Sequence, residues 1–175
     1  MNRRFATTLV LATAALSAAV MVWAQPPTTA SAILKGQYTR LKNNFVKAAE
    51  KMPEENYSFK PVDAVETFGQ RVAHIADPQL ATCSGLTGER KMGTAKSKTS
   101  KADLVAAIKE SFDACDKAFD ALTDANAMEA VAAGRGMQPR INVLYGIVVH
   151  ANEVYGAMGV YMRLKGIVPP SSEGR

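Results

Sequence analysis

The chain has 175 residues, 47% of them hydrophobic and 21% charged, with a formal net charge of +5. That length suits one ordinary domain, and the balance of apolar and charged residues excludes a disordered chain, a collagen-like repeat and a multi-span membrane protein. A soluble, packed domain with a single core is the expectation.

At the N-terminus, Arg3 and Arg4 precede an apolar run from Phe5 to Val22, and Val22-Trp23-Ala24 puts small or branched residues at both recognition positions of a cleavage site. Residues 1–24 therefore read as an export signal that is removed, residues 25–30 as a flexible N-terminal segment and residues 31–175 as the folded domain. The apolar run could pass for a spanning helix, but Val22-Trp23-Ala24 followed by Gln25-Pro26-Pro27 favours cleavage. The mature chain is then expected to be periplasmic or secreted and not embedded in a membrane. Losing Arg3 and Arg4 leaves a formal charge of +3.

Residues Leu34, Tyr38, Leu41, Phe45, Ala48 and Met52 recur at alternating spacings of four and three, which predicts an amphipathic helix over residues 31–52, stopped by Pro53. A second helix is predicted to begin near Asp63 or Thr67, both good caps, and to reach Leu86 through Phe68, Val72, Ile75 and Cys83. Pro78 lies inside it and withdraws a donor from the carbonyl of His74, so a kink or loosening is expected there. The linker that follows carries Arg90, Lys91, Lys96, Lys98 and Lys101 without interleaved aromatic residues, the pattern of a solvated loop rather than a nucleic-acid surface.

Ser100 with Asp103 resembles a helix cap, and Leu104, Ile108, Phe112, Cys115, Phe119 and Leu122 make a third buried stripe. Thr123 to Gln138 reads as a connection with one short helical turn. Pro139 opens a fourth helix with two adjacent apolar stripes, one through Leu144, Val148, Ala151, Tyr155, Met158 and Met162, the other through Val143, Ile147, His150, Val154, Ala157 and Tyr161. So wide an apolar face predicts the most buried helix, with Gly146, Gly156 and Gly159 allowing close backbone approach. No segment shows strand alternation, and the expected class is all-α with four main helices.

Cys83 falls about 16 residues into the second helix and Cys115 about 15 into the third, so at ~1.5 Å per residue they reach equal height only if those helices are parallel. A linker of roughly 12 residues spans up to about 40 Å against a helix of about 30 Å, which makes the return crossover feasible. The working expectation is an up-down-down-up bundle with a long helix 2 to helix 3 crossover and a Cys83–Cys115 bridge, as suits an exported two-cysteine chain. Two buried free thiols are the alternative.

The stretch Phe68-Gly69-Gln70-Arg71-Val72-Ala73-His74-Ile75-Ala76-Asp77, the later His150-Ala151-Asn152-Glu153-Val154-Tyr155-Gly156 and the ending Leu164-Lys165-Gly166-Ile167-Val168-Pro169-Pro170 together resemble the DinB superfamily, more closely its exported branch. The resemblance runs from about Leu34 to Ser172 and implies the same up-down-down-up bundle. It also implies a divalent metal, nickel or zinc, held by one histidine on helix two and two on helix four in an H-x-x-x-H pair. Residues four apart share a helix face, and a third imidazole from a facing helix completes a three-point site with open positions. His74 matches the first ligand and His150 the second. The third position is Val154, which has no donor atom, so the site reads as degenerate. Glu153 and Asp77, each three residues after a histidine, are the candidate substitutes. Otherwise His74 and His150 are hydrogen-bonded polar residues, with Tyr155, Tyr161 or water as partners.

Two functions follow. One is a non-catalytic binding or stress-associated envelope bundle, recognising a small molecule or an envelope protein through the loops Glu89 to Thr99 and Thr123 to Gln138. The other, implied by the resemblance, is a nickel- or zinc-dependent transferase or hydrolase in which the metal activates a bound thiol or water. A homodimer is compatible with the broad apolar fourth helix.

Overall fold

The computed structural model describes residues 28–174, so the segment read as an export signal lies outside the described residues. Four helices make the body of the molecule: α1 Ala30–Lys51, α2 Phe68–Leu86, α3 Lys101–Asp120 and α4 Arg140–Leu164. Their starts are set by side chains that satisfy the free N–H groups of a first turn. Thr29 caps α1, Ser100 caps α3, and Thr67 with Gln70 forms a reciprocal capping box on α2. The second helix thus begins at the later of the two predicted caps, and it continues through Pro78 as one helix.

The predicted stripes of α1 and α3 are buried, and their aromatic residues meet at the centre of the bundle. Tyr38 stacks on Phe119 with ring centroids 3.8 Å apart, and Phe45 meets Phe112 edge-on at 5.9 Å. The Tyr38 hydroxyl donates to Asp116 Oδ1 at 2.7 Å. Burial, reinforced by that carboxylate, pushes the phenol well above its ordinary pKa and keeps it protonated.

Contacts along α1 and α3 run in opposite order, with Tyr38 against Asp116, Phe45 against Phe112 and Glu50 against Lys109. Along α2 and α3 they run in the same order: Gln79 faces Ser111, and one turn later Cys83 faces Cys115. The two sulfurs stand at disulfide distance, with Cα atoms 4.8 Å apart. Across α2 and α4 the order reverses again, from Arg71 over the Tyr161 ring to His74 against His150.

The basic linker between α2 and α3 is not simply a solvated loop. It folds a 3-10 turn at Ala95–Ser97, whose first residue is fully buried. Ser84 Oγ accepts from the Lys91 N–H at 2.8 Å, and the Ser84 carbonyl accepts from Glu89 N–H at 2.9 Å, so the polar backbone of the crossover finds its partners on α2.

The connection before α4 is a β-hairpin, β1 Ala130–Ala133 paired antiparallel with β2 Gly136–Pro139, rather than a helical turn. Gly134 and Arg135 form its two-residue loop. Gly134 has φ 59° while Arg135 is not left-handed, which is the arrangement of a type II′ turn and requires glycine at the first loop position. Nor is α4 the most enclosed helix. Most residues of its two apolar stripes are buried, yet Tyr145, Val149, Val160 and Leu164 face outward, because a helix with neighbours on only part of its circumference leaves the rest uncovered. A methyl group at Gly146 or Gly156 would meet no neighbouring atom within 4 Å, so these glycines do not serve close packing. Among the described residues, no helix is long and apolar enough to cross a membrane.

Candidate functional site

The structure brings the two histidines together. His74 from α2 and His150 from α4 place their ring centroids 5.2 Å apart, with planes inclined by 51°. They lie at the rim of the cleft between these helices rather than deep in the core, with side chains 40% and 49% exposed.

Each ring has its Nδ1 turned toward a carboxylate. Glu66 Oε1 is 3.3 Å from His74 Nδ1, and Glu153 Oε2 is 3.7 Å from His150 Nδ1. Glu66 has two further contacts: its other oxygen is 3.8 Å from Arg71 Nη1 and its backbone carbonyl accepts from the Tyr161 hydroxyl at 2.8 Å; Arg71 in turn lies over the Tyr161 ring at 5.9 Å. This carboxylate was not among the residues singled out by spacing. It precedes the Thr67 cap and reaches His74 along the first two turns of α2, and the only sequence signal for it is the Thr67-x-x-Gln70 capping box that fixes where the helix begins.

The expected tyrosine partners of the histidines are otherwise engaged. Tyr161 donates to the Glu66 carbonyl, and the Tyr155 hydroxyl accepts from the Ser171 N–H at 3.0 Å.

Asp77 is not a substitute ligand. Its carboxylate accepts from the backbone N–H groups of Ala95 at 2.7 Å and Lys96 at 3.0 Å, pinning the crossover to α2. A methyl group at Gly93 would collide with that carboxylate, so glycine is what lets the crossover pass. Asp77→Ala is expected to lower stability by about 1–2 kcal/mol, the worth of a lost capping carboxylate, in urea denaturation. It should leave metal affinity unchanged, which a ligand substitution would not.

A donor set for a resident metal can be tested against these positions. With nickel or zinc to nitrogen bonds of about 2.0–2.1 Å, two imidazoles on one tetrahedral ion have centroids about 5 Å apart, so the spacing of the pair suits one ion. Among the described residues a third donor is missing. Val154 is buried in the core at 3% exposure, Asp77 is committed to the crossover, and Glu153 is 81% exposed beyond His150. Among the described residues no three His, Cys, Asp or Glu side chains group as a metal site. Two points do not fix the geometry of a catalytic ion, and the residues present do not fit the three-ligand centre.

The fold comparison agrees with the sequence resemblance. Residues 37–155 match the family model described as the DinB superfamily. The chain belongs to that superfamily. The crystal structure of a DinB-like protein from Bacillus cereus ATCC 10987 superposes on it with a TM-score of 0.66 at 20% identity, covering 78% of this chain and 93% of that one. At that identity the likeness concerns the bundle alone. No curated protein matches the chain.

Next to His150, the superfamily bundle is open. A cleft of about 200 Å³ lies between α2 and α4, walled by Ile75, Pro78, Val143, Ile147 and Ala151. It adjoins a wider hollow of about 530 Å³ bounded by Thr82, Gly85, Gly146 and the hairpin residues Ala132 to Gly134. The hairpin therefore forms part of a recessed surface.

Proposed function

We propose that this chain is an exported, non-catalytic binding member of the DinB superfamily, in which the cleft between α2 and α4 remains while the resident metal centre has lapsed. The observation that carries the reading is the absence, among the described residues, of a third donor beside His74 and His150, with Val154 buried where the family pattern has a histidine. A cleft lined by apolar side chains with a few polar groups at its rim is the ordinary form of a small-molecule site. The residue pairings along the helices support the up-down-down-up path. Export is supported by the character of residues 1–24 and by the Cys83–Cys115 approach, since such bonds persist in oxidising compartments.

The metal-dependent transferase or hydrolase reading retains one favourable observation, the carboxylate-backed histidine pair at a separation that suits a single nickel or zinc ion. Metal analysis of the mature protein separates the two. Wild type and His150→Ala are expected to carry no stoichiometric nickel or zinc after dialysis and to titrate alike. Val154→His is expected to tighten nickel binding by at least about tenfold, as a third imidazole does. One equivalent of metal in wild type, lost in His150→Ala, would overturn the non-catalytic reading.

A further inference from the structure

The outward face of α4 carries an apolar stripe that no other described residue covers. Tyr145, Val149, Val160 and Leu164 are 57%, 46%, 55% and 58% exposed, and Gly156 lies among them with no atom within 4 Å of the place a methyl group would take. At ~100° per residue these five positions fall within an arc of about 100°, so they form one face along about 28 Å of helix. From Tyr145 to Val160 the helix contains one carboxylate, Glu153, and neither lysine nor arginine. The seam between α1 and α3 is instead bridged by ion pairs such as Lys42–Asp116 and Lys109–Glu50. At its N-terminal end the stripe runs into an apolar groove of about 560 Å³ between α1 and α4, to which Tyr145, Ile33 and Met128 contribute. Contiguous apolar surface of this extent marks an interaction site on a protein that is not embedded in a membrane.

We propose that two copies of this chain pair through α4, antiparallel about a two-fold axis that passes beside Asn152 and Glu153. The stripe is self-complementary in that arrangement. Its positions lie at matching distances on either side of the axis, so Tyr145 faces the partner's Val160, Val149 falls on the partner's Gly156, and each contact occurs twice. The glycine, which packs against nothing within one chain, leaves the room that the valine fills. At the axis the Asn152 amide stands opposite the partner's Glu153, a donor for the one carboxylate of the stripe. Leu164 reaches the partner's groove beside Ile33 and Tyr145. The area suffices for a second copy. At about 200 Å² for a fully exposed large apolar residue, Ile33, Met128, Tyr145, Val149, Val160 and Leu164 offer on the order of 700 Å² per copy, near the ~800 Å² per partner of a stable interface.

The pairing goes beyond the binding reading above and does not rest on it, since Val143 and Ile147, which wall the cleft, lie on another side of α4. Sedimentation equilibrium of the mature protein from about 1 to 300 μM should show a mass approaching twice that of the chain, with a dissociation constant in the micromolar range or tighter. Gly156→Leu fills the place of the partner's Val149 and should weaken the dimer at least about tenfold, with helix content by circular dichroism unchanged because leucine is the better helix former. Val149→Lys, at an exposed position of the single chain, should weaken it by a similar factor, since the dimer would bury its charge. Direction is tested by cross-linking. Tyr145→Cys and Val160→Cys chains, mixed and mildly oxidised, should join to each other and not to themselves. A monomer at every concentration would overturn the proposal and leave the stripe to a lipid surface or a different protein. A dimer that Gly156→Leu and Val149→Lys leave intact would place the interface elsewhere, and self-cross-linking of either cysteine variant would mean parallel helices; both results equally overturn it.

Discussion

Phe112→Ala is expected to destabilise the protein by about 3–5 kcal/mol, the usual loss for a fully buried phenylalanine. Phe112 has no exposed surface and stands where α1 and α3 meet, with Phe45 5.9 Å away edge-on and Tyr38 6.1 Å away at an inclination of 49°. Both neighbours are aromatic and held by their own contacts, Tyr38 by its stack on Phe119 and its bond to Asp116. The void left by the ring would therefore collapse poorly, which places the loss toward the upper end of the range. In a domain of this size each kcal/mol lowers Tm by about 2–4 °C, so thermal unfolding should fall by roughly 10 °C or more. Phe112→Leu, which keeps most of the volume, should lose markedly less. A loss below about 1 kcal/mol for the alanine variant would mean that the centre of the bundle lies elsewhere.

Breaking the proposed Cys83–Cys115 bond is the second large effect. The pair is separated by 32 residues along the chain, and a crosslink closing a loop of that length restricts the unfolded ensemble by about 3–4 kcal/mol in the chain-entropy account. The loop it closes contains the whole crossover, which is otherwise held by Asp77 and Ser84. Urea denaturation of the native protein with and without reductant should show that loss, and the Cys83→Ala, Cys115→Ala double variant should resemble the reduced form. Two reactive thiols in unreduced, unfolded protein would refute the bridge and restore the free-thiol alternative.

Much of the helical framework is legible from residue spacing. The stripes of α1 and α3 are periodic over five turns, and Ser100 marks a start that its hydrogen bond to Asp103 accounts for. Where two caps are available, only the Thr67–Gln70 reciprocity distinguishes Thr67 from Asp63. The hairpin escaped because Ala130-Val131-Ala132-Ala133 is too short and too rich in alanine to show strand alternation. The Gly134-Arg135-Gly136 turn was the one signal present.

The site was less legible than the frame. A family pattern can nominate His74 and His150, but Glu66 enters from outside the helix, where periodicity gives no direction for a side chain. Asp77 shares the histidine spacing that suggested a ligand, yet its partners are backbone N–H groups of a loop whose path no local rule specifies. Gln79 looks like any polar residue on a helix until Ser111 is seen to consume its amide nitrogen. Such roles depend on tertiary pairing, which spacing within a single helix does not encode.

The same pairing makes the molecule mechanically lopsided. Hydrogen bonds, the sulfur pair and the anchored crossover clamp α2 against α3, while the seam on the other side of α2 is bordered by glycine, alanine and space. Shear or breathing will concentrate in the looser seam, as in a book bound along one edge. Whatever enters there can change its width without straining the spine.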